Sequence, residues 1–260
     1  LKISVLASGS AGNSTYIETE KHSILLDAGL SEKKLSARLA SLGRDMKDLD
    51  AVFVTHEHSD HFKGIGPLVR KHNIPLYTTA GTFKKIQSRI GRIPSWAPLR
   101  SEEPVAIGDM LVEPYATPHD AEESVAFVIH HGDIKIGHAT DLGEVTPFVR
   151  EKLRKSTALL VEANHDINML EVGPYPWPLK QRIKSSVGHL SNEACGELLT
   201  EANHDGLKLV VLMHLSETNN LKELAILTAE QALGEKAARV TRVLAEQDKP
   251  TELFSISTMP

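Results

Sequence analysis

The sequence predicts an α/β sandwich. Short runs rich in Val, Ile and Leu are mixed with segments of helical spacing in both halves of the chain, as expected where helices cover β-sheets. Neither an internal repeat, a low-complexity tract nor a linker interrupts this pattern. With 260 residues, 41% hydrophobic and 24% charged, there is enough apolar material for one substantial core. Residues 1–260 are therefore expected to form a single domain.

The elements follow in order. Lys2 to Ser8 reads as a buried strand and "SGSAGNS" as the loop after it. "STYIETE" and "HSILLDAG" form a strand pair ending at Asp27 and Gly29. Ser31 to Leu42 has helical spacing, with Leu35, Leu39 and Leu42 on one face and Ser31 as N-cap before Glu32. "LDAVFVTH" is a buried strand, Gly64 to His72 a helix, "PLYTT" a short strand and Ala80 to Ile90 another helix. "PVAIGDMLVEPYATPH", "SVAFVIHHGDIKIGHATDLG" and "ALLVEANHD" are strands with tight turns, one at His131-Gly132-Asp133. Ser191 to Glu201 reads as a helix, "LKLVVLMHLS" as a buried strand and Leu221 to Leu233 as a helix. "ARVTRVLAEQ" and "TELFSI" close the chain as short strands.

Composition excludes some functions. A net charge of −5 gives no global basic field, so contact with a polyanion needs a local patch. A lone cysteine, Cys195, rules out an internal disulfide and fits a reducing compartment; it falls in a helical stretch and reads as packing. The N-terminal apolar run is too short for a signal peptide, and no stretch approaches the roughly 20 apolar residues of a membrane span. A cytoplasmic protein without membrane contact is expected. Thirteen histidines against one cysteine point any metal site towards nitrogen and oxygen ligands.

The chemistry concentrates in "VTHEHSDH". His56, Glu57, His58, Ser59, Asp60 and His61 directly follow a β-branched strand. Alternate residues of an extended segment face the same way, so His56 and His58 can share one metal; a turn into helix would aim Asp60 and His61 at a neighbouring position. Imidazole with carboxylate suits Zn, Mn or Fe. A solvated loop is the bland alternative, but four ligand types in six residues at a strand end are hard to dismiss. His119, Asp141 and His214 each follow another apolar run, where a sheet presents groups at its rim.

This order of motifs, HxHxDH at 56–61 and then His119, Asp141 and His214, resembles the metallo-β-lactamase-fold hydrolases, with Asp27 matching their first motif. The resemblance spans nearly the whole chain and implies an αβ/βα four-layer sandwich. It implies that His56, His58 and His119 hold one metal, that Asp60, His61 and His214 hold a second, and that Asp141 bridges them. Asp27 would orient ligands by hydrogen bonds. Two divalent ions, Zn or Mn with Fe as a further choice, would be the cofactors, and Asp60 would be catalytic as well as a ligand.

Substrate class needs other residues. "LLVEANHD", with Glu162, and "GHLSN…MHLS", with His189, His214 and Ser216, resemble the ribonuclease Z-like phosphodiesterases. In that reading His189 protonates the leaving alkoxide, a step a thiolate leaving group does not need; the bland reading of His189 is a packed residue at the start of the Ser191 helix. Glu162 and Ser216 would support the ligands. The set "SGSAGNS", "VTHEHSDH", "TDLG", "GPYPWPLKQRIKSSVGHLSN" and "HLSETNN" is similar throughout to the YycJ/WalJ-like family, associated with 5′→3′ exonuclease activity on DNA.

Lys180, Arg182 and Lys184 form a basic stretch before His189, and Lys84, Lys85, Arg89 and Arg92 another in "TFKKIQSRIGRIP", on and just after the 80–90 helix. Asn13, in a Gly-rich turn without a P-loop lysine, is a candidate substrate contact. "GPYPWP" reads as a stiff loop more often packed than not, with Tyr175 and Trp177 as its stacking candidates. His165 follows a strand as a ligand would, yet the seven ligand positions are already filled. The expected function is a dinuclear metal-dependent phosphodiesterase acting on nucleic acid, DNA before RNA. The rivals are a glyoxalase II-like thiolesterase, a small-molecule cyclic phosphodiesterase and a metal-retaining regulatory scaffold. The short stretch from Asp141 to His214 leaves room for two helices and a loop, not for an inserted domain.

Overall fold

The structure, a computed structural model, describes residues 1–257. In chain order the elements are β1 (Lys2–Ala7), β2 (Ser14–Glu18), β3 (Ser23–Leu26), α1 (Glu32–Ser41), β4 (Ala51–Phe53), α2 (Ser59–Phe62), α3 (Ile65–His72), β5 (Leu76–Thr79), α4 (Ala80–Ile90), β6 (Trp96–Leu99), β7 (Val105–Ile107) and β8 (Met110–Ala116). Then come β9 (Val125–His131), β10 (Ile134–Ala139), α5 (Pro147–Leu153), β11 (Ala158–Glu162), α6 (Ile167–Val172), α7 (Trp177–Ile183), α8 (Asn192–Ala202), β12 (Leu209–Met213), α9 (Lys222–Leu233), β13 (Thr241–Leu244) and β14 (Phe254–Ser255). They divide between two compact units. The first comprises Leu1–Ala116, Ala121–Val125 and Glu246–Ser257; the second contains Thr117–Asp120 and Ala126–Ala245.

Each unit carries a mixed sheet. In the first, the order is β14-β1-β2-β3-β4-β5-β6; β14 to β3 pair antiparallel and β3 to β6 parallel. β7 and β8 pair antiparallel as a hairpin. In the second unit β10 to β13 are parallel neighbours and β9 runs antiparallel beside β10. Parallel strands covered on both faces must be apolar throughout, not alternating. Accordingly β4 (AVF), β11 (ALLVE) and β12 (LVVLM) are buried at every position. Around the first sheet Leu35, Leu39, Leu68, Val69 and Ile86 from the helices pack with Leu25, Val52 and Leu76 from the strands. Each fully buried aliphatic side chain contributes about 1.5–3 kcal/mol.

Local sequence explains the helix boundaries. The hydroxyls of Ser31, Thr79, Thr146 and Ser191 cap α1, α4, α5 and α8 by accepting from backbone N–H groups three residues on. Pro147 opens α5, where its missing N–H costs nothing. The β2–β3 pair and the turn at Gly132, in the left-handed region (φ 56°), lie where the sequence places them.

Four expectations needed correction. Between Asp141 and His214 there are four helices, α5 to α8, instead of two, because α5, α6 and α7 are six or seven residues long and complete too few turns to show a period. Strand β6 adds an unforeseen edge to the first sheet. "ARVTRVLAEQ" is strand only over Thr241–Leu244, after a 3₁₀ turn at Gly234–Arg239. "GPYPWP" ends as a helix start, with the Trp177 side chain 71% exposed and not packed. Among the described residues no helix is long and apolar enough to cross a membrane.

Candidate functional site

In both sheets the polar side chains gather where parallel strands end. Asp27 follows β3 and His56 closely follows β4, its neighbour in the sheet. Asp141 follows β10, Glu162 ends β11 and His214 follows β12, again on adjacent strands. Adjacent strands lie about 4.8 Å apart, so their ends bring side chains within reach of one another. Three of these residues, Asp27 (φ 61°), Asp141 (φ 56°) and His214 (φ 55°), adopt the left-handed conformation. For a non-glycine residue that conformation costs of order 1–3 kcal/mol, and such strain clusters at functional sites.

In the first unit Asp27 organises the cluster. Its carboxylate accepts from the Thr55 N–H (2.9 Å), the Thr55 hydroxyl (3.0 and 3.1 Å) and His61 Nδ1 (2.8 Å). The Thr55 oxygen in turn accepts from His56 Nδ1 (2.9 Å). Both imidazoles therefore carry their proton on Nδ1 and keep the lone pair on Nε2. The His56 ring lies 4.1 Å from that of His61 and 4.6 Å from that of His58, centroid to centroid. His56 and His61 are buried and His58 is half-buried. The Asn13 amide donates to Asp60 Oδ2 (3.2 Å) and sits 3.1 Å from His61 Nε2, while its oxygen accepts from Gly9 N. Asn13 is 2% exposed, so the structure places this sequence-predicted substrate contact against two ligand candidates. Gly29 is required nearby because a Cβ there would collide with the Asp60 carbonyl.

In the second unit Glu162 plays the corresponding part. One oxygen, Oε2, accepts from the backbone N–H groups of Leu142 (2.8 Å) and Leu190 (3.1 Å). The other, Oε1, accepts from His189 Nδ1 (2.8 Å) and His214 Nδ1 (3.0 Å). Burial alone would raise the Glu162 carboxyl, but the two imidazoles outweigh it and hold it below the usual carboxylate range. Asp141 Oδ1 lies 3.2 Å from His214 Nδ1, 3.7 Å from His189 Nδ1 and 3.9 Å from His119 Nε2. His119 Nδ1 donates to the Gly188 carbonyl (3.1 Å). A Cβ on Gly188 would strike the carbonyls of Arg182 and Ile183, so the glycine before His189 is set by close backbone approach. His189 alone of this group is appreciably open, its side chain 21% exposed against 3% for Asp141 and His214.

Other candidates lie further out. Ser216 accepts from the N–H groups of Thr218 and Asn219 and fixes the turn after His214. Lys180 donates to the Glu171 carbonyl, Lys184 pairs with the Glu171 carboxylate, and Arg182 pairs with Asp120, next to His119. Lys85 pairs with Glu122. Two contributors had no sequence signal of their own. Thr55 is the hydroxyl hub of the first cluster, and Asn164 holds the backbone carbonyl of His214 through Nδ2 (2.8 Å).

The donor set fits divalent metal ions. Single ligand atoms of Asp141, Glu162, His189 and His214 lie within 4.8 Å of one another. In both units imidazoles are anchored through Nδ1 by an oxygen, the arrangement that orients histidine ligands and raises their basicity.

Residues 22–215 match the family model of the Beta-lactamase superfamily domain. The exodeoxyribonuclease YycJ of Bacillus anthracis is 39% identical over 238 residues, covering 91% of this chain and 90% of that protein. The exodeoxyribonuclease WalJ of Streptococcus pneumoniae serotype 2 is 40% identical over 238 residues, 90% of this chain and 88% of that one. Among solved structures, the metallo-β-lactamase-fold protein YhfI of Bacillus subtilis superposes with a TM-score of 0.73 over 97% of this chain and 100% of its own, at 18% identity. The chain belongs to the β-lactamase superfamily of metallo-β-lactamase-fold hydrolases and, within it, to the YycJ/WalJ family. It is accordingly a metal-dependent hydrolase of the α/β class.

Proposed function

We propose that the chain is a phosphodiesterase that removes nucleotides from DNA, in the 5′→3′ direction, with two divalent ions bound by the ligand set read from its sequence. That its YycJ and WalJ relatives are exodeoxyribonucleases supports the substrate class. The observation that carries the chemistry is the Glu162–His189 pair. A carboxylate with four hydrogen bonds grips His189 at Nδ1, in an imidazole whose side chain is 21% exposed. That fixed donor suits an alkoxide leaving group of high pKa. His56, His58, Asp60, His61, His119, Asp141 and His214 are the ligands in this reading, the first unit's set held by Asp27 and Asn13 and the second's by Glu162 and Asn164. Divalent ions, when bound, would supply nucleophile activation at neutral pH and neutralise phosphate charge. Arg182, turned outwards beside Asp120, and Lys180 and Lys184 at Glu171 provide the local cationic surface that a polyanion needs on an acidic protein.

The test compares leaving groups. In His189→Ala, turnover of a natural nucleotide linkage should fall by roughly 10²–10⁴ fold, and that of bis-p-nitrophenyl phosphate far less, because p-nitrophenolate departs without a proton. Equal losses on both substrates would remove the acid role. Hydrolysis of a glutathione thiolester with no cleavage of end-labelled DNA would remove the nuclease reading.

A further inference from the structure

In the first unit the loop between β1 and β2, residues 8–13, lies against the turn that carries Asp60 and His61. Its hydrogen bonds are directed inwards. Gly9 N donates to Asn13 Oδ1 (2.9 Å), Gly12 N to the Gly9 carbonyl (3.0 Å) and Asn13 N to the Asp60 carbonyl (2.7 Å). Ala11 N donates to Oε1 of Gln247 (2.8 Å), from the far end of the sequence, and Gln247 Nε2 donates to the Gly12 carbonyl (2.8 Å). These four N–H groups are committed within the protein. The loop therefore works as a brace and not as a nest of amides open to a phosphate.

Gln247 is half-buried and grips the loop at two points. Gly9 allows the approach: its φ is 139°, and a Cβ there would meet Gln247 Oε1 at 2.8 Å. The backbone that carries Gln247 is itself anchored to β1. The Glu246 carbonyl accepts from Ser8 N (3.1 Å), Thr251 N donates to the Val5 carbonyl (2.9 Å), and β14 pairs with β1. On its other side the loop meets the ligand turn backbone to backbone. A Cβ on Gly12 would strike the Gly29 carbonyl at 2.5 Å, and Gly29 in turn is pressed on the Asp60 carbonyl. Gly29 N donates to the Asn13 carbonyl (2.8 Å) and Ala28 N to the His61 carbonyl (2.7 Å). Contacts of this kind contain no flexible side chain to absorb a displacement, so a shift at Ala11 or Gly12 is passed on to Asp60.

We propose that Gln247 is a positioning residue for Asp60 and His61, acting through the glycine loop and Asn13. The inference rests on the reading of Asp60 and His61 as ligands of one ion, and it extends the support of that pair to the C-terminal segment Glu246–Ser257. Asp27 orients the His61 imidazole through Nδ1, whereas Gln247 sets the loop from which Asn13 Nδ2 donates to Asp60 Oδ2 (3.2 Å). His56 is held separately, through Thr55. Loss of Gln247 therefore weakens one of the two ions and spares the other.

Two variants test this. Gln247→Met keeps the length of the side chain and removes both hydrogen bonds; Gln247→Ala removes its bulk as well. In metal-free protein, the backbone N–H resonances of Asp60 and His61, which Gln247 does not touch, should shift in both variants, while those of Val52 and Phe53 in β4 stay in place. In competition with a zinc chelator, one of the two equivalents should bind about 10–100 fold more weakly, with the other unchanged within about twofold. A general loss of stability would weaken both equivalents together. Unmoved Asp60 and His61 resonances, equal weakening of both equivalents, or no weakening of either would overturn the proposal. If the wild type holds fewer than two ions, the ligand reading fails. The Asp60 and His61 resonances would then still decide whether Gln247 sets their position.

Discussion

The two clusters solve one problem in different ways. In the first unit, four candidate ligands come from six consecutive residues, and Asp27 fixes one imidazole directly and a second through the Thr55 hydroxyl. In the second unit every candidate comes from a different segment, and Glu162 fixes two imidazoles with one oxygen while two backbone N–H groups hold the other. The contiguous cluster gets its geometry from a strand that turns into a short helix. The dispersed one gets it from a buried carboxylate. Damage to Asp27 should therefore be local, whereas damage to Glu162 should reach both His214 and His189, the metal ligand and the acid of the proposed mechanism.

Glu162→Gln sets the largest effect. The amide keeps the shape but replaces a charge shared between two imidazoles, and its NH₂ cannot accept. Turnover of DNA should fall by roughly 10²–10⁴ fold through the lost acid function, and saturating metal should not restore it. Recovery to wild-type rates in excess metal would show that Glu162 acts only by holding His214. Asp27→Asn should do less. Metal affinity should drop by about 10–100 fold, as is usual when a group orienting a ligand is lost, and excess metal should restore most of the turnover. A deficit that persists at saturation would mean that Asp27 does more than orient His61.

What the sequence disclosed follows the same division. "HEHSDH" announced itself because strand, turn and ligands are consecutive, and Asp27, His119, Asp141 and His214 were legible as polar residues that each follow an apolar run. The parallel strands were legible because burial on both faces leaves continuous apolar runs such as "LVVLM". The left-handed backbone at Asp27, Asp141 and His214 left no trace, since no local residue type demands it and surrounding packing imposes it. Thr55 and Asn164 were hidden because a threonine at a strand end and an asparagine before a turn are ordinary there. The short helices α5 to α7 escaped periodicity, although Thr146-Pro147 and Asp166 were readable start signals. His165 looked like a surplus ligand; its burial beside a cavity gives it another setting.

The ligand set proposed for this chain would hold two divalent ions, and metal content measures them directly. Protein loaded with Zn or Mn and freed of excess by gel filtration should retain two equivalents per chain by mass spectrometry. His58→Ala should lose metal while the unfolding transition stays cooperative. One equivalent or none in the wild type, or two retained in His58→Ala, would contradict that ligand set.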